Sequence, residues 1–169
     1  GEADAPAVVR EAPSGPAGAG AEAAAEAIAE SDDLGPTERE EQLWDEIEDI
    51  ELGGPEKYKD RLEEQGKLFV RDRLDLWFGE DGLLFEDGKF ANFDAWHPDS
   101  PEVGEDNDDR LPGDGLLTGA AEFEGRELHF MANDFTVKAG SMAEKGVEKF
   151  LRMQQRALKN GKPVLYLMD

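Results

Sequence analysis

The sequence predicts an α/β fold, and three features toward its C-terminal end carry that prediction. Leu116 to Phe123 and Arg126 to Ala132 are extended runs joined at Glu124-Gly125 as a hairpin; Ser141 to Asn160 has helical spacing; and Val164 to Met168 is an unbroken apolar run following Gly161-Lys162-Pro163. A strand that is apolar on both faces belongs inside a layered sheet, reached from its predecessor through a crossover helix. The absence of Cys excludes a disulfide framework, a thiolate metal site and a Cys nucleophile.

In chain order, residues 1–33 are rich in Ala, Gly, Glu and Pro and contain no aromatic residue, so they cannot bury enough apolar area to offset the entropy of ordering. They are predicted to be a disordered acidic leader, in which Glu22, Glu26 and Glu30 repel one another at i, i+4 spacing. The leader lacks the basic start and apolar stretch of a secretory signal.

Residues 34–78 are predicted to form a helical N-terminal layer. Thr37 followed by Glu40 is a capping-box pattern that starts a helix running to Leu52, with Leu43, Trp44, Ile47 and Ile50 as its apolar stripe. Gly53, Gly54 and Pro55 stop it, and Pro55 opens a second helix with Tyr58 and Leu62, ending near Gly66. A third short helix covers Val70 to Phe78.

Residues 79–169 are predicted to be the truncated N-terminal part of a larger domain. Gly79 to Gly115 mixes Gly, Pro, Asp and aromatics without a sustained period, which predicts loops with one or two short strands, anchored on the core by Phe90, Phe93 and Trp96. The helix after the hairpin is expected to bury Val147, Phe150, Leu151, Gln154 and Leu158, and Gly161 is its stop. Val164 to Met168 needs cover on both faces and a neighbour on each edge, and Asp169 follows at once.

With 41 acidic and 18 basic residues the formal charge is −23, which opposes nucleic acid and anionic membrane surfaces as partners. Residues 1–54 hold 16 acids and two bases, net −14, and residues 55–169 are still net −9. Acidity spread over the whole chain suggests a surface adapted to high salt, where a Debye length of about 3 Å at 1 M screens the repulsion. The sequence is therefore read as halophilic and cytoplasmic.

Catalytic groupings are sparse. His97 sits in a loop beside Pro98 and Asp99, and His129 lies within a strand, where packing explains it. The acids Glu102, Glu105, Asp106, Asp108 and Asp109 lack the Gly and the distant Glu of an EF-hand loop and read as a solvated loop; no metal site is expected. The remaining candidate is Thr136-Val-Lys-Ala-Gly-Ser141, placed between a strand and a helix so that free backbone N–H groups and the helix dipole favour an anion or developing oxyanion. Lys138, Ala139, Gly140 and Ser141 are its candidate substrate-binding residues, Gly140 for close approach; Ser141 is equally a helix N-cap.

The segment MANDFTVKAGSMAEKGVEKFLRMQQRALKNGKPVLYLMD resembles the opening of the carboxyltransferase domain of biotin-dependent acyl-CoA carboxylases, the β subunits of propionyl-CoA and methylcrotonyl-CoA carboxylases among them. The resemblance extends back through GDGLLTGAAEFEGRELHF and QGKLFVRDRLDLWFGEDG. It implies a crotonase-like (ClpP-type) fold, and an acyl-CoA that loses an α-proton, holds its enolate oxygen on backbone N–H groups and takes a carboxyl from carboxybiotin. It also implies biotin carried by a biotin carboxylase or carboxyl carrier partner, and a homo-oligomer at full length. The family's Gly-Gly oxyanion motif falls beyond Asp169, so this N-terminal fragment is expected to be inactive alone. The same wording resembles the carboxyltransferase subunit of glutaconyl-CoA decarboxylase, which leaves chemical direction open; a non-enzymatic acidic interaction module is the other reading.

Overall fold

The computed structural model describes residues 35–79, 81–98, 100 and 110–168. The predicted leader and the acids from Glu102 to Asp109 lie outside the described residues. The chain divides after Gln42 into two compact units, the second of which holds the sheet.

Helix α1 spans Glu38–Glu51. Its start is the capping box read from sequence: the Thr37 N–H donates to Glu40 Oε2 at 2.7 Å and the Glu40 N–H donates to Thr37 Oγ1 at 3.3 Å. The Glu40 side chain thereby pairs the Thr37 amide, while the Glu40 amide is shared between the Thr37 hydroxyl and the Thr37 carbonyl, to which it donates at 2.9 Å. Pro55 precedes α2, Glu56–Glu64, and α3, Val70–Phe78, ends at Gly79 in a positive-φ conformation.

Four strands follow: β1 Leu83–Asp87, β2 Leu116–Phe123, β3 Arg126–Asn133 and β4 Val164–Leu167. They lie in the order β1-β2-β3-β4. The first three are antiparallel, and β4 runs parallel to β3 with His129 opposite Val164. Side chains alternate across a strand, so β2 and β3 bury both faces. Leu117, Ala121, Phe130 and Ala132 pack against Val70 and Leu74 of α3; Leu116 and Met131 pack against Met153 of the crossover helix. The result is the predicted α/β layering, a sheet between α3 and the crossover helix.

Among its described residues, the segment between α3 and β2 contributes β1, the short helix α4, Phe93–Trp96, and a 3-10 turn at Pro112–Gly115. Of the three aromatics expected to anchor it, Trp96 is buried, Phe93 stacks on His97 with centroids 4.2 Å apart, and Phe90 is exposed; the Arg110 guanidinium lies 4.9 Å over the Trp96 ring. Arg110 also donates to the Asp49 carbonyl at 2.9 Å and pairs with its carboxylate at 3.1 Å, closing the segment onto α1.

The crossover-helix expectation is corrected. The crossover helix α5 begins at Glu144 and runs to Asn160, and its buried residues are Gly146, Lys149, Met153 and Ala157. Val147, Leu151 and Leu158 lie on an exposed flank, Leu158 at 85%. Polarity alone assigned the wrong stripe, because a lysine holds one of the buried positions. The final strand lacks the cover and the second neighbour that its apolar sequence calls for, as expected: Tyr166 is 44% exposed, and among the described residues β4 pairs with β3 alone.

Candidate functional site

The turn from Thr136 to Ser141 leaves the end of β3 and is fastened at both ends. The Asp134 Oδ1 accepts the Thr136 N–H at 2.8 Å and the Thr136 hydroxyl at 2.5 Å. The same Thr136 Oγ1 accepts the N–H of Gly54, between α1 and α2, at 2.7 Å. A side chain at Gly54 is impossible without displacement, since a Cβ there would sit 2.0 Å from the Thr136 carbonyl oxygen. On the preceding residue, Arg73 of α3 donates to the Asn133 carbonyl at 2.6 Å, and Asn133 Nδ2 donates to the Gly140 carbonyl at 3.3 Å. Burial raises the Asp134 carboxyl above the ordinary Asp range, a shift that the Thr136 bonds and the charges of Arg71 and Arg73 only partly offset.

Past this anchor the backbone turns left-handed for three residues running: Lys138 at φ 47°, Ala139 at 54° and Gly140 at 77°. For residues with a Cβ that conformation costs roughly 1–2 kcal/mol each, and strain of this kind concentrates at functional sites. The turn's own bonds engage four amides. Thr136 donates to Asp134 Oδ1, Val137 to the Asp134 carbonyl, Gly140 to the Val137 carbonyl and Ser141 to the Lys138 carbonyl. Lys138 and Ala139, both exposed, have no amide bond within the turn. A positive side chain beside two such amides is an arrangement suited to an anion or a polarised carbonyl.

The four sequence-predicted site residues are therefore contiguous and at the surface, with Gly140 half-buried. Ser141 is not the helix N-cap: its backbone is extended, and the cap position of α5 falls on Ala143, with no side-chain cap bond. At the N-terminus of α5 the Gly146 N–H is already engaged, donating to Asp114 Oδ2 at 2.5 Å. Sequence reasoning missed Asp134 and the Gly54 clamp. The Asp-x-Thr spacing of an Asx turn was the available signal for the first; the second joins residues 82 apart and leaves no local trace.

The histidines stand elsewhere. His129 is a packed strand residue, edge-on to Phe85, with no hydrogen-bond partner on Nε2. His97 Nε2 lies 3.6 Å from Asp49 Oδ2. A groove of about 490 Å³ runs between the first three helices, lined by Leu52, Leu62, Leu68 and Phe69 with Lys59 and Lys67, and does not include the turn. Among the described residues no group of three or more His, Cys, Asp or Glu is placed to hold a metal ion, and no helix is long and apolar enough to cross a membrane.

Residues 61–169 match the family described as the carboxyl transferase domain. The chain belongs to this family. Among carboxyl transferase relatives, an uncharacterised carboxylase of Bacillus subtilis is 42% identical over 130 residues, covering 77% of this chain and 23% of its own length. The propionyl-CoA carboxylase carboxyltransferase subunit of Haloferax mediterranei is 32% identical over 132 residues, 78% of this chain and 24% of that protein. The crystal structure of a transcarboxylase 12S hexamer with methylmalonyl-coenzyme A and methylmalonic acid bound superposes with a TM-score of 0.64 at 31% identity, covering 80% of this chain and 26% of that one. The fold is thus the opening portion of a crotonase-like carboxyltransferase domain. The chain spans about a quarter of the length of the carboxyl transferase relatives it matches.

Proposed function

We propose that this chain is the opening part of the carboxyltransferase β subunit of a biotin-dependent acyl-CoA carboxylase, and that Lys138 to Ser141 line the coenzyme A end of the substrate. The observation that carries the reading is the left-handed, surface-exposed Lys138-Ala139-Gly140 turn, held from beneath by Asp134, Thr136 and Gly54. Family membership and the carboxylase relatives favour this over a decarboxylase-type subunit or an acidic interaction module. In this reading residues 1–33 are a leader, 34–78 a supporting helical layer and 79–169 the start of the acyl-CoA domain. The parent is an oligomeric, cytoplasmic enzyme suited to high salt.

The reaction breaks the α-C–H bond of the acyl thioester, passes the proton to a base and forms a C–C bond to a carboxyl carbon. The carboxyl would come from carboxybiotin on a partner subunit, the N–C bond there breaking as the new C–C bond forms. The residues of this chain bind and orient. The Lys138 ammonium meets a phosphate or carbonyl of the coenzyme, the Lys138 and Ala139 amides complete the contact, and Gly140 admits the ligand to the backbone.

Calorimetric titration of the chain with propionyl-CoA in molar KCl tests this. Binding is expected, weakened at least tenfold by Gly140→Val and several-fold by Lys138→Ala. Equal affinity of the folded Gly140→Val protein, or no binding by the parent chain, would remove the turn from the site.

A further inference from the structure

Lys149 is 2% exposed, in the middle of α5, where the helix meets the sheet. Its Nζ donates to the Gly113 carbonyl at 2.9 Å and, closely, to the Leu116 carbonyl. Among the described residues no carboxylate lies within ion-pair distance of it. A buried cation with only carbonyl partners is an expensive way to fill a core position, since desolvation opposes the charge.

The two carbonyls flank a second left-handed run, Gly113 at φ 58°, Asp114 at 57° and Gly115 at 70°. Asp114 is held by Asn92 Nδ2 at 2.5 Å on one oxygen and by the Gly146 amide on the other. The run carries the candidate turn directly. The Gly115 carbonyl accepts the Asp134 N–H at 3.0 Å. A Cβ at Gly115 would sit 3.0 Å from Val137 Cγ1 and 3.6 Å from the Ser141 carbonyl oxygen, so the two turns touch backbone to side chain. Leu116 also stands opposite Asn133, whose side chain donates to the Gly140 carbonyl.

We propose that Lys149 is a positioning residue for the Lys138 to Ser141 turn, acting through the Gly113–Leu116 segment on which that turn rests. What the turn binds rests on the function proposed above; the positioning does not. Lys149 fixes the carbonyls of Gly113 and Leu116, and these fix Gly115 under Asp134, Val137 and Ser141. An apolar side chain of similar length fills the volume but leaves both carbonyls free to rotate away. Burial supports the geometry by lowering the ammonium to about 8, against the opposing pull of Glu86 and Asp87 on β1 and Asp114 below it, with Arg152 on the same helix adding to the lowering. His129 is on the β3 strand beneath.

The test is methyl NMR of the chain in molar KCl, reading Ala139 and Val137, with propionyl-CoA titrated in parallel. In Lys149→Met both methyl signals are expected to move and affinity for propionyl-CoA to fall at least tenfold, while Ala121 and Ala157 hold their positions. Unmoved Ala139 and Val137 signals in the folded variant would overturn the proposal. Should the variant not fold, Lys149→Gln serves: its shorter side chain cannot reach both carbonyls, so the same two signals should move, and unmoved Ala139 and Val137 signals in that folded variant would overturn the proposal. Methyl shifts without any propionyl-CoA binding by the parent would leave the positioning role standing and refute the functional reading instead.

Discussion

Gly54 is where a single added methyl group tests how the helices hold the turn. It is not among the positive-φ glycines, so Ala suits its backbone, and the whole effect comes from the neighbour. The new Cβ would lie 2.0 Å from the Thr136 carbonyl oxygen and 2.4 Å from its carbon. Both atoms are backbone of the fastened turn, and relief requires a separation of about 1 Å or more, which breaks the 2.7 Å bond from Gly54 to Thr136 Oγ1. Overpacking costs about 1–3 kcal/mol, and an unpaired buried amide about 1–3 kcal/mol more. With roughly 2–4 °C lost per kcal/mol for a chain of this size, a total of about 2–6 kcal/mol means that Gly54→Ala should lower the melting midpoint by roughly 4–24 °C. Gly66→Ala is the comparison. Gly66 has φ 65° and no atom within 4 Å of a new Cβ, so it carries only the left-handed backbone penalty of about 1–2 kcal/mol. Thermal and urea unfolding in molar KCl, followed by circular dichroism, would measure both. A Gly54→Ala protein as stable as Gly66→Ala would show that the turn is not held from the helical side.

Three further outcomes are expected. Ser141→Ala should change stability by no more than about 0.5 kcal/mol, because Ser141 caps no helix; a loss near 1 kcal/mol in urea unfolding would restore the capping role. Asp134 has a raised folded-state pKa, so the folded state binds more protons and the parent loses stability as pH rises through that value. Asp134→Asn keeps an accepting oxygen for Thr136 without that charge, and its melting temperature relative to the parent should rise with pH; parallel curves would refute this. Folding of the chain should be gained as KCl rises toward molar concentration, given the charge of −23; equal ellipticity at low and high salt would reject the high-salt reading.

Elements with local signals were legible. The capping box at Thr37 and Glu40, the Pro55 start of α2, the Glu124-Gly125 hairpin and the Gly161 stop of α5 are each specified within a few residues, and each is observed. The start of α5 was not, because its first turn is satisfied by Asp114 from 32 residues upstream and not by a neighbouring side chain. Its buried stripe was misassigned for a related reason: Lys149 is accommodated by two carbonyls that belong to another turn. In the candidate turn, Lys138, Ala139 and Gly140 were singled out from their place between strand and helix. The left-handed backbone that distinguishes the turn depends on tertiary fastening by Gly54, Arg73 and Gly115, and no local pattern encodes it.

The half-covered β4 strand has a practical consequence for handling the isolated chain. Among the described residues its outer edge has no strand partner, and Tyr166 in the strand and Met168 just past it are exposed, as are Val147, Leu151 and Leu158 of α5, a combination that invites strand-to-strand association. Dilute buffer suppresses such encounters through like-charge repulsion between molecules. Raising salt removes that barrier along with the repulsion inside each molecule, so the conditions that favour folding also favour clumping. Light scattering should therefore show particle size growing with protein concentration in molar KCl and staying constant in dilute buffer. A lysine at Tyr166, on the exposed side of the edge, is the substitution to separate the two effects.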